Sequence, residues 1–146
     1  MSEARVVDLL GGERAIGTKV ERELDFDREI KRGFRPQVFT SFKKSTRLAN
    51  SVLSRALGVS ARTIDRFGVA KGVTRIKPAV SDRLYRIAKI VALAEQTLED
   101  REQALSWLSS QQSGLGNRIP VDLLETDAGT REVEEELQRI EHGFVA

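Results

Sequence analysis

The chain has 146 residues, enough for one ordinary domain or two small ones. It contains no Cys, which excludes disulfides and thiolate metal sites, and no apolar run of 18 residues, which excludes a membrane-spanning helix. Its net charge of +2 hides two halves of opposite sign: residues 1–80 carry 17 Lys and Arg against 9 Asp and Glu, and residues 81–146 carry 7 against 13.

Residues 1–25 hold a short apolar turn (Val6, Val7, Leu9, Leu10) stopped by Gly11 and Gly12, and are expected to form an N-terminal arm or a dimerisation element. Nothing there has the continuous apolar stretch of a secretory signal, so a cytoplasmic location is expected. Four helices fit residues 26–67. The first runs from Phe26 to Arg32 and stops at Gly33. The second starts at Pro36, where a missing N–H costs nothing, and points Val38, Phe39 and Phe42 inward. The third ends at Leu57, with Ser45 or Asn50 as its cap. The fourth begins at Ser60, with Ile64 and Phe67 inward.

Residues 68–80, with two Gly and one Pro, read as a connector. A long helix follows, capped near Ser81 and stapled by Val80 and Leu84. Its stripe is Leu84, Ile87, Ala88, Val91, Ala94 and Leu98. Asp100 is a natural N-cap for a helix carrying Ala104, Leu105 and Leu108. Pro120 begins a short helix through Leu124, Gly129 marks a turn, and the last helix buries Val133, Leu137 and Ile140 before stopping at Gly143. No strand alternation occurs, so the chain is expected to be all-α, with an N-terminal helix-turn-helix domain over 26–77 and a second helical domain over 78–146.

The stretch Leu53-Ser-Arg-Ala-Leu-Gly-Val-Ser-Ala-Arg-Thr-Ile64 has the residue types that a helix-turn-helix demands. Gly58 suits the tight turn, Ser54 is small enough for close crossing, and Leu53, Leu57, Val59, Ile64 and Phe67 lock the pair. Ser60 caps the second helix. Ala61, Arg62, Asp65 and Arg66 then form the face that enters a major groove. Arg62 and Arg66 suit guanine O6/N7 or phosphate, Thr63 suits phosphate or a backbone cap, and Asp65 suits a cytosine amine or a neighbouring arginine. From Arg28 to Lys77 the balance is 13 basic residues to 2 acidic ones, which is what phosphate binding needs. The bland reading is a solvated basic surface. Because one such unit covers little groove, a homodimer on paired half-sites is expected.

The second half has no catalytic constellation. His142 is the only His, and with no Cys it cannot build a zinc site; Gly114-Leu-Gly-Asn lacks the Lys-Ser/Thr ending of a phosphate loop. Neither metal nor cofactor is expected, and the chain is read as no enzyme. Glu134, Glu135 and Glu136 read as a solvated face, and Trp107 as a core residue.

Ser81-Asp-Arg-Leu-Tyr-Arg-Ile-Ala88, Ala104-Leu-Ser-Trp-Leu108, Gly116-Asn-Arg-Ile-Pro-Val-Asp-Leu-Leu124, Thr126, Gly129, Val133 and Arg139-Ile-Glu-His-Gly143 resemble the Xre/MbcA/ParS antitoxins, and so do Phe26 to Phe34 and Arg62 to Arg66. The resemblance covers about residues 26–144 and is most specific in the C-terminal string. It implies a RES-domain toxin as partner, one that consumes NAD or uses it for ADP-ribosylation. It also implies operator DNA and repression of the chain's own operon. The residues assigned to the toxin are Arg118, Arg139, Ile140, Glu141, His142, Gly143 and Phe144, with the tail projecting into the toxin's cleft. For Arg118 the alternative is that it holds its loop by bonding carbonyl oxygens. The alternative for the whole chain is a stand-alone regulator with a C-terminal dimerisation domain and no toxin.

Overall fold

The computed structural model describes residues 3–69 and 74–143, and their backbone is helical without named strands. The contacts divide the chain into two compact units, residues 2–88 and residues 89–146.

The first unit opens with α1 (Glu3–Leu9) and α2 (Gly12–Ile16), followed by α3 (Glu23–Arg32) and α4 (Pro36–Thr46). Next come α5 (Asn50–Leu57), α6 (Ala61–Val69) and the first half of α7 (Pro78–Leu98). Within residues 3–20 the helical turns are thus Glu3–Leu9 and Gly12–Ile16. Val6, Leu9, Leu10, Ala15, Ile16 and Val20 are buried, and both short helices pack on α4. Burial of this apolar set outweighs the poor intrinsic stability of helices so short.

Phe26, Phe34, Phe39 and Phe42 are each nearly fully buried, worth about 1.5–3 kcal/mol apiece relative to exposure. Phe39 meets Phe67 edge-on at 5.3 Å, which ties α4 to α6. Phe26 packs against Tyr85 at 4.7 Å, and the Tyr85 hydroxyl donates to Glu23 at 3.1 Å. Burial, then the Glu23 charge, pushes the Tyr85 phenol well above its ordinary range. Leu24, one residue away, points to solvent, 62% exposed, so the apolar face of α3 does not include it.

In the second unit α8 (Arg101–Leu108) is capped as expected, Asp100 accepting from the Gln103 N–H at 2.9 Å. Two 3-10 turns, Ser113–Leu115 and Pro120–Leu123, pack against α9 (Asp127–Glu141). Thr126 is the N-cap of α9, accepting from Gly129 N–H at 2.9 Å. Gly129 therefore stands inside the first turn of the helix, not in a turn before it. A Cβ there would overlap the Leu123 carbonyl oxygen, and that approach is the reason for glycine.

Several caps differ from the sequence expectation. The long helix starts at Pro78, whose missing N–H suits a first-turn position. Ser81 lies one turn in and is fully buried. Its hydroxyl accepts from Phe34 N–H at 2.9 Å and donates to Ile76 O at 3.2 Å. Val80 and Leu84 are both buried inside the helix, so they do not staple its end. Neither Ser45 nor Asn50 caps α5. Its N-cap is Ala49, and Thr46 satisfies the loop by accepting from Leu48 N–H at 3.4 Å. Ile140 is 36% exposed rather than core; Leu137 is the last buried residue of α9. Trp107 is half-buried.

Candidate functional site

The helix-turn-helix forms from α5 and α6. Gly58 takes a left-handed φ of 68°, and its N–H donates to Arg55 O at 3.2 Å, ending α5. Val59 N–H returns to Ser54 O at 3.1 Å, and the Ser54 hydroxyl donates to Val59 O. The small Ser54 thus does more than leave room: it fastens the turn. Leu53, Leu57, Ile64 and Phe67 are buried beneath. One anchor comes from outside the motif. Arg83 on α7 donates to Leu57 O at 3.1 Å, and a side chain at Gly58 would meet its guanidinium. Sequence pattern did not single out Arg83 and read Ser81 as a cap, since each acts on a residue far away along the chain.

Ser60 caps α6, accepting from Thr63 N–H at 3.2 Å, with the two hydroxyls 3.0 Å apart. Ala61, Arg62, Asp65 and Arg66 are exposed and Thr63 is half-buried. Arg62, Asp65 and Arg66 make no side-chain hydrogen bond or ion pair among the described residues, so the pairing of Asp65 with either arginine does not form. Arg62 and Arg66 are one turn apart on the same helix face. Their cationic heads are fully available to an external anion.

The C-terminal candidates divide. Arg118 is exposed, and its guanidinium has no hydrogen bond or ion pair among the described residues. Its backbone, rather than its side chain, holds the loop: Gln112 N–H donates to Arg118 O at 3.0 Å. Arg139 is engaged, with Nε and Nη2 reaching one Glu136 oxygen at 2.9 and 2.8 Å. Glu136 is consequently not part of a solvated face; its side chain is 14% exposed and lies against Gly114. Glu141 is also held, accepting from Gln96 at 3.1 Å and Thr97 at 3.4 Å. His142 is exposed and shares a shallow depression of about 320 Å³ with Glu135, Gln138 and Arg139. Gly143 has a left-handed φ of 68° and its N–H donates to Ile140 O at 3.1 Å. Phe144 lies outside the described residues. The second half therefore offers a free cation at Arg118 and a partly apolar helix end at Ile140 and His142.

Comparison with known proteins defines the class. Residues 25–89 match the antitoxin Xre-like helix-turn-helix domain, and residues 93–143 match the antitoxin Xre/MbcA/ParS C-terminal toxin-binding domain. A protein with these two parts in this order is an antitoxin with a helix-turn-helix domain and a toxin-binding domain. An "Antitoxin Xre" of Yersinia enterocolitica is 32% identical over 131 residues, 89% of this chain and 87% of that protein. Another from Pseudomonas putida is 39% identical over 64 residues, 44% of this chain and 40% of the relative. A third, from Photorhabdus laumondii, is 29% identical over 96 residues, covering 63% and 62%. The chain belongs to the Xre/MbcA/ParS antitoxin family.

Proposed function

We propose that this antitoxin neutralises a RES-domain toxin that acts on NAD, and represses its own operon through α6. The observation that carries the DNA part is the pair Arg62 and Arg66, exposed, without an ion-pair partner among the described residues and one turn apart on a helix capped by Ser60. Such a pair can contact guanine edges or phosphate in a major groove. Ala61, Thr63 and Asp65 complete that face. The DNA role falls to the part matched by residues 25–89, and the toxin role to the part matched by residues 93–143.

For the toxin, the supporting feature is the end of α9, where Ile140 exposes apolar surface, His142 is exposed and Gly143 takes a left-handed φ. Arg118 adds a cation with no internal partner among the described residues. Arg139 and Glu141 already have partners, so their role in the complex is to fix the shape of the helix end. Phe144 follows as the apolar residue that enters the cleft. No helix of the described residues is long and apolar enough to cross a membrane, and we place the protein in the cytoplasm as a homodimer within a larger complex.

The reading is tested by co-expressing the tagged chain with the protein encoded by the neighbouring reading frame, together with a reporter driven by the upstream region. A stable complex and a repressed reporter are expected. A folded chain that represses the reporter but captures no such protein would instead be a stand-alone regulator.

A further inference from the structure

Beside the recognition helix lies a cleft of about 480 Å³, within the size range of small-ligand sites. Its walls come from the helix-turn-helix turn, from α6, and from residues 74–80. Among the described residues three cations line it, Arg66, Arg75 and Lys77, and no carboxylate does. The Thr63 hydroxyl adds a polar group. Phe67, Ile76 and Val80, each buried, form an apolar floor.

The three cations are not neutralised from within. Arg66 and Lys77 have no side-chain hydrogen bond or ion pair among the described residues. Arg75 spends one N–H on Gly33 O at 3.1 Å, which fixes its position and leaves the rest of the guanidinium fork unspent. That bond is part of a built wall: Ile76 N–H also donates to Phe34 O at 2.7 Å, and Gly33 sits so close to Ile76 O that it has no room for a Cβ. Like charges around one cleft repel one another until an anion enters, and a fixed guanidinium beside two further cations suits the several oxygens of a phosphoryl group.

We propose that this cleft is a phosphate site, and that Arg66 serves it rather than reading a base. Arg62, one turn earlier on α6 and outside the cleft, is left as the base-reading arginine. The phosphoryl group comes from the DNA backbone flanking the groove or from a free phosphorylated molecule. The inference rests on the DNA-binding reading for the first source and is independent of it for the second.

The experiment uses the full chain and the variants R66Q, K77Q and R62Q. R131Q, which removes one charge from an exposed pair with Asp127 on α9, is the charge control. Glutamine at Arg66 and Lys77 breaks no internal bond, so both variants are expected to fold; circular dichroism checks this. In the first arm, affinity for the operator duplex and for a scrambled duplex is measured across a salt series. If the DNA backbone is the occupant, R66Q and K77Q weaken both duplexes by the same factor and lower the salt slope by about 1 each. R62Q alone narrows the gap between the two duplexes, and R131Q changes neither. In the second arm, inorganic pyrophosphate is titrated into the DNA-free protein and amide shifts are followed, with sulfate for comparison. A free phosphorylated occupant gives saturable shifts at Thr63, Arg75 and Ile76 that vanish in K77Q, while DNA binding by K77Q is normal. The proposal is overturned if R66Q narrows the gap between duplexes as R62Q does, or if R66Q and K77Q match R131Q in both arms. A wild-type chain that binds neither duplex defeats the DNA reading, and the pyrophosphate arm then decides the cleft by itself.

Discussion

Gly129 has no room for a methyl group, because the Leu123 carbonyl oxygen occupies that space. Gly129→Ala must push the preceding 3-10 turn away from α9, and is expected to destabilise the second unit by about 1–3 kcal/mol, measured by urea unfolding. Glycine was visible in the sequence, but its reason was not: a glycine between apolar segments reads as a turn, and only the fold brings Leu123 against it. Asp25 is a second residue with a measurable role. Its carboxylate accepts from the backbone N–H groups of Glu21 at 2.9 Å and Arg22 at 3.1 Å, which holds its pKa below the ordinary value of 3.8. A group whose folded pKa is lowered stabilises the fold above its unfolded pKa and loses that contribution as pH falls through the folded value. Asp25→Asn should therefore flatten the stability curve below about pH 4. A curve with an unchanged acid limb would contradict it. At Arg62, replacement by Ala should cost about 1–3 kcal/mol in operator binding, read by fluorescence anisotropy.

At the scale of elements, the helix-turn-helix was readable because local chemistry specifies it. Gly58 meets the positive φ of the turn, Ser60 meets an orphan N–H, and the apolar spacing of Leu53, Leu57, Ile64 and Phe67 sets the buried face. The start of α7 was misread for an equally physical reason. A serine ahead of an apolar stripe reads as an N-cap, yet Ser81 is inside the helix and serves Phe34, 47 positions away. Ser81→Ala leaves the buried Phe34 N–H without its acceptor, and should destabilise the first unit by about 1–3 kcal/mol. Thermal unfolding of that variant, with Ser109→Ala on the exposed C-terminal side of α8 as a control, checks the value. Equal melting of the two would show that Phe34 finds another acceptor. Ile140 was misplaced because the 3–4 spacing of Val133 and Leu137 continues past the end of the buried face, and spacing alone does not show where a packing partner stops. The C-terminal site residues carry no local signal of their own, and only the family string points there. Of the short helices α1 and α2 the sequence shows only an apolar turn at Val6 to Leu10, because their stability comes from packing on α4 and not from periodicity.

Across the whole molecule, charge separates the two tasks. The basic residues concentrate between Arg28 and Lys77, and the acidic ones after Ser81. DNA binding should weaken steeply with salt, whereas capture of the toxin through Ile140 and the residues beyond it should depend on salt far less. A chain ending at Glu141 keeps the bonds from Gln96 and Thr97 and removes residues 142–146. It should still bind operator DNA while losing inhibition of the toxin. Inhibition retained in full by that shortened chain would move the blocking surface to Arg118 and the exposed face of α9. The most direct test of the central claim is a titration of the intact chain into the purified protein encoded by the neighbouring reading frame, with NAD turnover as the readout. Turnover should fall to background at a fixed molar ratio of chain to toxin. Turnover that continues undiminished with the folded chain in excess would contradict the account.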